Sequence, residues 1–410
     1  MNYRFELLGK NNKIKPLLFY YFYKSLREIN FFLNFNFRKS LTMKILHISG
    51  ARSWGGNEQQ LVDLIDELNK FGVENIIFGV EGFDLHQYSI TNNITFVPCK
   101  NKKLNKFKNY KYLNEVVKNV IPDLIHLHTS DSVTVFTISD LLFKLNTPTV
   151  FSKKGISRKM SLLSKYKYNY KNIYKIICVS QIVKSHFENV ITNNNLHKLC
   201  VVYDGVKIMD VDNSYSLCIK STYQLKTNLK IIGNIANHNE AKDLMTLVKT
   251  LNILVNEKKI KNIHLLQVGS FTRGTSEIKE LVKTCGLEDY ITFTNFVENA
   301  SSLLTQFDVF LMTSVREGGP TTVLEALYKK VPVVSTRVGV VSEAITDGVS
   351  GFISEIGDYN DLANKIEILL NNDFLKKSFI EISYQNFLNN FTSEKLGNNT
   401  FKIYLEVLKN

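Results

Sequence analysis

Two short apolar runs, 307–312 and 331–335, flank a glycine-rich turn and a helix-length segment. The first is Phe307-Asp308-Val309-Phe310-Leu311-Met312 and the second Val331-Pro332-Val333-Val334-Ser335. Between them lies Ser314-Val315-Arg316-Glu317-Gly318-Gly319-Pro320-Thr321-Thr322-Val323-Leu324-Glu325-Ala326-Leu327. Strands that are apolar on consecutive residues are buried on both faces, and two of them joined through a helix form a parallel crossover unit. The pattern predicts a helix over 323–328 and puts the turn at the carboxyl edge of a sheet, where open α/β folds bind ligands. Gly318 and Gly319 let a ligand approach the backbone. Pro320 and the two threonines open a helix whose first N–H groups are unpaired, an arrangement that suits phosphate. Thr322 and Glu325 also have the spacing of a capping box, which would give Glu325 only a structural task. Glu317, a carboxylate beside two glycines in a turn, has no packing reason to be there.

The same strand–turn–helix unit opens the first half. Met43-Lys44-Ile45-Leu46-His47-Ile48-Ser49-Gly50 reads as the first strand of a doubly wound domain. Gly55-Gly56 follows, then a helix whose buried stripe is Leu61, Leu64, Ile65 and Leu68, with Asn57 and Gln60 spaced as a cap pair. The loop lacks the Gly-x-Gly-x-x-Gly pattern, which counts against a nicotinamide enzyme. Residues 75–80 and 94–97 are strand-like, and 123–128 is a strand ending in polar residues. Alternation puts His126 and His128 of that strand on one side, as core groups or as metal ligands, although no acidic cluster accompanies them. Residues 207–228 lack periodicity and read as a linker, after which Lys230-Ile231-Ile232-Gly233-Asn234-Ile235 restarts the alternation. Gly269 and Gly274 have P-loop-like spacing, but no lysine follows Gly274.

A chain of 410 residues accommodates two domains. Its five scattered cysteines, odd in number and never Cys-x-x-Cys, argue for a reducing compartment and against a disulfide framework. No run has the length of a membrane span, and no signal peptide is visible. Net charge of +13 favours an anionic partner, unless the excess is solvated lysine. No nucleic-acid motif is present. Residues 1–42 mix aromatic and basic side chains. They read either as an interfacial membrane segment or as an extension upstream of Met43, and the second reading is preferred.

The segment Glu317-Gly318-Gly319-Pro320-Thr321-Thr322-Val323-Leu324-Glu325-Ala326-Leu327, followed by Val331-Pro332-Val333-Val334-Ser335-Thr336 and Gly339, closely resembles the signature of retaining family-4 glycosyltransferases (glycosyl transferases group 1). The resemblance covers roughly 43–395 and implies the GT-B fold, two Rossmann-like domains facing a cleft. It implies an N-terminal acceptor domain over 43–206, the linker over 207–228, a nucleotide-sugar domain over 229–390, and a terminal helix over 391–410 crossing back to the first domain.

By the same resemblance, Glu317 contacts the donor sugar and Glu325 the ribose hydroxyls. The backbone of Gly318, Gly319, Pro320 and Thr321 lies near sugar and diphosphate. Gly55 and Gly56 approach the diphosphate, Lys242 pairs with it, and Phe296 and Val297 meet the base. His128 lies beside the transferred sugar. Asn234 stands at a donor-site position where an arginine is usual, and Arg273 is a possible substitute. Asn295 replaces a frequent glycine. The expected catalytic set is therefore His128, Glu317 and Lys242.

The implied reaction moves a sugar with retention from a nucleotide-diphosphate sugar, UDP favoured over GDP, to a glycan or lipid-linked acceptor of the cell surface. It requires no cofactor, and no metal, because no Asp-x-Asp motif stands where a cation would be needed. The lysines and tyrosines of 153–171 fit an anionic acceptor or a membrane face, consistent with an enzyme of the cytoplasm, working at its membrane. Two rivals stay open: another sugar enzyme on a similar fold, and a non-catalytic nucleotide-sugar binder, for which Asn234 is the best argument.

Overall fold

The computed structural model describes residues 42–156, 161–208 and 217–409. Residues 1–41, with the two readings above, and Arg158 and Lys159 of the basic stretch lie outside them. Lys44–Asn410 form one unit built on two parallel sheets. In chain order the first half runs β1 (Lys44–Ser49), α1 (Gly56–Asn69), β2 (Glu74–Gly79), α2 (Asp84–Thr91), β3 (Thr95–Pro98), α3 (Phe107–Val120) and β4 (Leu124–Leu127). It continues with α4 (Ser130–Phe143), β5 (Thr149–Lys153), α5 (Leu162–Tyr168), β6 (Ile173–Cys178), α6 (Gln181–Glu188) and β7 (Leu199–Val201). The second half holds α7 (Ile219–Thr222), β8 (Lys230–Ile235), α8 (Leu244–Asn252), β9 (Ile263–Val268), α9 (Thr275–Thr284), β10 (Ile291–Phe293) and β11 (Val309–Met312). After these come α10 (Thr321–Tyr328), β12 (Val333–Thr336), α11 (Val341–Ala344), β13 (Phe352–Ser354), α12 (Tyr359–Asn371), α13 (Asp373–Asn390) and α14 (Ser393–Leu408).

Strand order is β3-β2-β1-β4-β5-β6-β7 in the first sheet and β10-β9-β8-β11-β12-β13 in the second. These are two Rossmann-like α/β sheets, the GT-B arrangement. Each reverses its winding once, between β1 and β4 and between β8 and β11. At such a switch point the loops after adjacent strands diverge and leave a crevice.

Alternation along β1 sends Leu46 and Ile48 into the core with Ile125, Leu127 and Phe136. His47 points to the opposite face, in register with His126 of β4. The second sheet is sealed on one face by Ile232, Leu265 and Leu311, and on the other by Ile231, Phe310 and Val333.

The linker expected over 207–228 is shorter than its lack of periodicity suggests. Within it, α7 buries Ile219 completely in the second core, because Gln306 accepts the Ile219 N–H at 2.8 Å and donates to the Leu217 carbonyl at 2.7 Å. The chain passes between the halves at 202–208 and again at 391–393. Val206 donates its N–H to Phe391 and accepts one from Ser393, so the two crossings are tied together. α14 then packs on α1: Gly397 lies against the Glu67 side chain, where a Cβ would come within 2.3 Å of the Glu67 Cβ.

Candidate active site

Loops from the carboxyl edges of both sheets enclose a cavity of about 520 Å³. The first half contributes Gly55, Gly56 and Glu58 after β1, and Lys154 after β5. The second half contributes Asn237 and Lys242 after β8, Phe296 and Val297 after β10, and the run from Arg316 to Thr322 after β11. Donor-site residues Gly55, Gly56, Lys242, Phe296, Val297, Glu317, Gly318, Gly319, Pro320 and Thr321, separated by up to 266 positions in sequence, therefore share one wall or another of this cavity.

The loop after β11 is built from backbone contacts. Val315 donates to the Ala241 carbonyl at 2.8 Å, and the Thr313 hydroxyl donates to the Lys242 and Asp243 carbonyls. This seats Glu317 beside Lys242: Lys242 Nζ lies 2.5 Å from Glu317 Oε1, which also accepts from the Ser314 hydroxyl at 3.0 Å. Both side chains are partly buried, so their attraction is less screened than at an open surface.

Gly318 is required for a different reason from ligand approach. A Cβ there would lie 2.0 Å from the Lys154 carbonyl oxygen, so the two halves meet backbone to backbone at this residue. Ser180 donates its hydroxyl to the Gly318 carbonyl at 3.0 Å, and Glu343 accepts the first N–H of α6 at 3.0 Å, strengthening the same contact. Asn295 adopts a left-handed conformation, φ 64°, which asparagine tolerates better than most residues. Its side chain accepts from the Phe271 N–H and its carbonyl from the Gly269 N–H.

Several expected residues stand elsewhere. Asn234 is buried beneath the cavity, donating to the Leu311 carbonyl of the adjacent strand β11 at 2.8 Å. Arg273 is exposed and does not line the cavity, whereas Arg316 does, with no ion-pair partner among the described residues. His128 is only 7 % exposed and accompanies His47 and His126 on the sheet face beneath α14. His47 Nδ1 and His128 Nε2 are 3.0 Å apart, and His47 Nε2 meets Asn75. His126 uses both ring nitrogens, on Tyr404 and Ser152.

Burial depresses all three imidazoles, His47 to about 4. Among the described residues they are the one His/Cys/Asp/Glu group close enough to share an ion. Yet their nitrogens are largely engaged with each other and with Asn75, Tyr404 and Ser152, as in a neutral hydrogen-bonded core network.

Glu325 lines not this cavity but its neighbour, which shares Gly55, Gly56 and Thr321 with it. There it faces Asp63 of α1. Burial, reinforced by Asp63, pushes the Glu325 carboxyl up to about 7, and burial pushes Asp63 up to about 6. The capping-box reading does not hold, since α10 starts one residue before Thr322, behind Pro320, with no side-chain cap. The Asn57–Gln60 pair also caps nothing. Gln60 instead brackets Gly205, donating to its carbonyl at 2.7 Å and accepting its N–H at 2.8 Å.

Sequence reasoning gave no task to Asp204 or Arg316, and it took Lys154 only as one of several lysines. Lys154 is paired with Asp204, fifty residues away, a contact that no local spacing announces.

Residues 54–208 match the family described as Glycosyltransferase Family 4, and 227–372 that described as Glycosyl transferases group 1. The chain belongs to this family of glycosyltransferases. The transferase is 30% identical over 191 residues to N-acetyl-alpha-D-glucosaminyl L-malate synthase of Bacillus anthracis, a match spanning 47% of this chain and 49% of that relative. It is 22% identical to the capsular polysaccharide biosynthesis glycosyltransferase CapM of Staphylococcus aureus, over 84% of this chain and 93% of CapM. In fold, this glycosyltransferase resembles Anabaena Alr3699/HepE, solved with UDP and glucose: TM-score 0.75, 18% identity, 89% of this chain and all of that one. Among its described residues no helix is long and apolar enough to cross a membrane.

Proposed function

We propose that the protein transfers a sugar, with retention, from a nucleotide-diphosphate sugar to a glycan or lipid-linked acceptor in cell-surface polysaccharide synthesis. The observation that carries this reading is the Lys242–Glu317 pair inside a cavity walled by both domains. A bound donor offers its diphosphate to Lys242 in place of Glu317, and Glu317 is then released to accept hydrogen bonds from the sugar hydroxyls. The first N–H groups of α10 and α1 and the Arg316 guanidinium add positive potential to the same space.

In the reaction the acceptor oxygen forms a bond to the anomeric carbon on the face from which the diphosphate leaves. The anomeric C–O bond breaks with its electrons going to the diphosphate, which also takes the acceptor's hydroxyl proton. The protein holds both partners together and stabilises charge growing on the leaving group. No role is assigned to a metal or another cofactor: Asp204 and Glu317, two of the cavity's carboxylates, face lysines rather than an open cation site. UDP is the favoured donor nucleotide, in line with the nucleotide in the HepE structure. The acceptor class follows CapM, named for capsular polysaccharide.

Peripheral contact with an anionic membrane is supported by Phe107, Leu162 and Leu163, each more than 80 % exposed among lysines of α3 and α5. A thermal-shift screen of nucleotide-sugars tests the donor, since a ligand of the native state raises Tm by mass action. The account expects a UDP-sugar to give the largest shift, product of unchanged anomeric configuration by NMR, and turnover that persists in excess chelator. A flat screen, an inverted product, or chelator-abolished turnover would each reject the corresponding part.

A further inference from the structure

A second concavity, of about 480 Å³, lies wholly within the first domain and shares no lining residue with the donor cavity. It sits at the switch point between β1 and β4, where an open α/β sheet most readily accepts a ligand. Gly50 and Arg52 reach it from the loop after β1, and Ser130 and Thr134 from the start of α4. Lys103 enters from the bends before α3, and Lys167 from α5.

Its charges are unbalanced. Arg52, Lys103 and Lys167 have no ion-pair partner among the described residues. Lys167 is held in place by neutral oxygens: the Ser130 carbonyl at 2.7 Å, the Ser130 hydroxyl at 2.8 Å and the Thr134 hydroxyl at 3.0 Å. Its position is fixed, and the charge acting on it is that of Asp131 on the same wall, with no direct ion pair between them.

The single lining carboxylate, Asp131, balances one of these three charges and is held in place by its own neighbours. It accepts the Thr129 hydroxyl at 2.5 Å and is packed under Gly50, where a Cβ would lie 2.0 Å from its Oδ2. Three cations around one carboxylate, in a crevice, leave an excess of positive charge that makes a seat for an anion.

The geometry points to an anionic acceptor whose phosphate or carboxylate group is held by Arg52, Lys103 and Lys167. This rests on the transferase reading and adds the acceptor's charge to it. The loop 50–56 links the two sites, with Arg52 at the acceptor anion and Gly55–Gly56 at the donor.

The test is calorimetric titration of glycerol 3-phosphate, malonate and glycerol into the full chain saturated with UDP, for wild type and R52Q/K103Q. At least one anion is expected to bind wild type and glycerol is not. The double variant should bind that anion at least about tenfold more weakly, with UDP affinity retained as the sign of an intact fold. The tighter anion assigns phosphate or carboxylate. Equal anion affinity in the variant, no anion binding to wild type, or equal binding of glycerol overturns the inference. Failure of wild type to bind UDP appears before any anion is added; it contradicts the transferase reading and removes this inference with it.

Discussion

Glu325 holds a proton that the unfolded chain gives up. Its carboxyl ionises near 4.5 when unfolded and near 7 when folded, because burial and the nearby Asp63 disfavour the anion. The associated stability is complete below pH 4.5 and is lost as pH rises through 7. Glu325→Gln cannot ionise and escapes that loss. The ligand-free variant is expected to gain on wild type between pH 5 and 8, by on the order of 2 kcal/mol, in denaturant titrations. A pH-independent difference between the two proteins would show that Glu325 is not held in this protonation state. Gly318 makes a second residue-scale case: with its Cβ position 2.0 Å from the Lys154 carbonyl, Gly318→Ala must push the halves apart. A displacement of about 1 Å at a site that aligns two substrates costs up to ~100-fold in rate. Steady-state kinetics should show kcat/KM reduced at least tenfold, and an unchanged value would contradict the close-contact reading.

At the level of elements, α14 is anchored by Tyr404, whose buried hydroxyl lies 2.6 Å from His126 Nδ1 under the first sheet. Tyr404→Phe leaves that imidazole without its partner and should cost about 1–3 kcal/mol in a denaturant titration, a loss that a merely peripheral helix would not produce. The elements themselves were largely legible. The runs 307–312 and 331–335 became β11 and β12, and the first-strand reading of 43–50 became β1. Apolar runs of five or six residues, too short for a helix and separated by a glycine turn and a helix-length segment, favour buried strands. Alternation also put His126 and His128 on one side, but it cannot tell which side faces the cleft. Resemblance, not alternation, placed His128 and Asn234 at a ligand, and both side chains are buried in the structure. Likewise, i,i+3 spacing alone does not make a cap: Gln60 has a backbone partner 145 residues away.

For the whole molecule, the loops were readable one by one and their meeting was not. Glu317, Lys242 and the Gly55–Gly56 turn each carried a local signature, whereas the Lys154–Asp204 pair joins loops fifty residues apart at the edge of the first sheet, and Glu325 faces Asp63 only once the two sheets are assembled. The central claim is that both halves surround one diphosphate, with Lys242 as its counter-charge. Calorimetric titration of UDP into wild type and Lys242→Gln tests it most directly. The account predicts affinity at least tenfold weaker in the variant, a charge-assisted contact being worth about 1.5–3 kcal/mol. Equal affinity in the two proteins would contradict it.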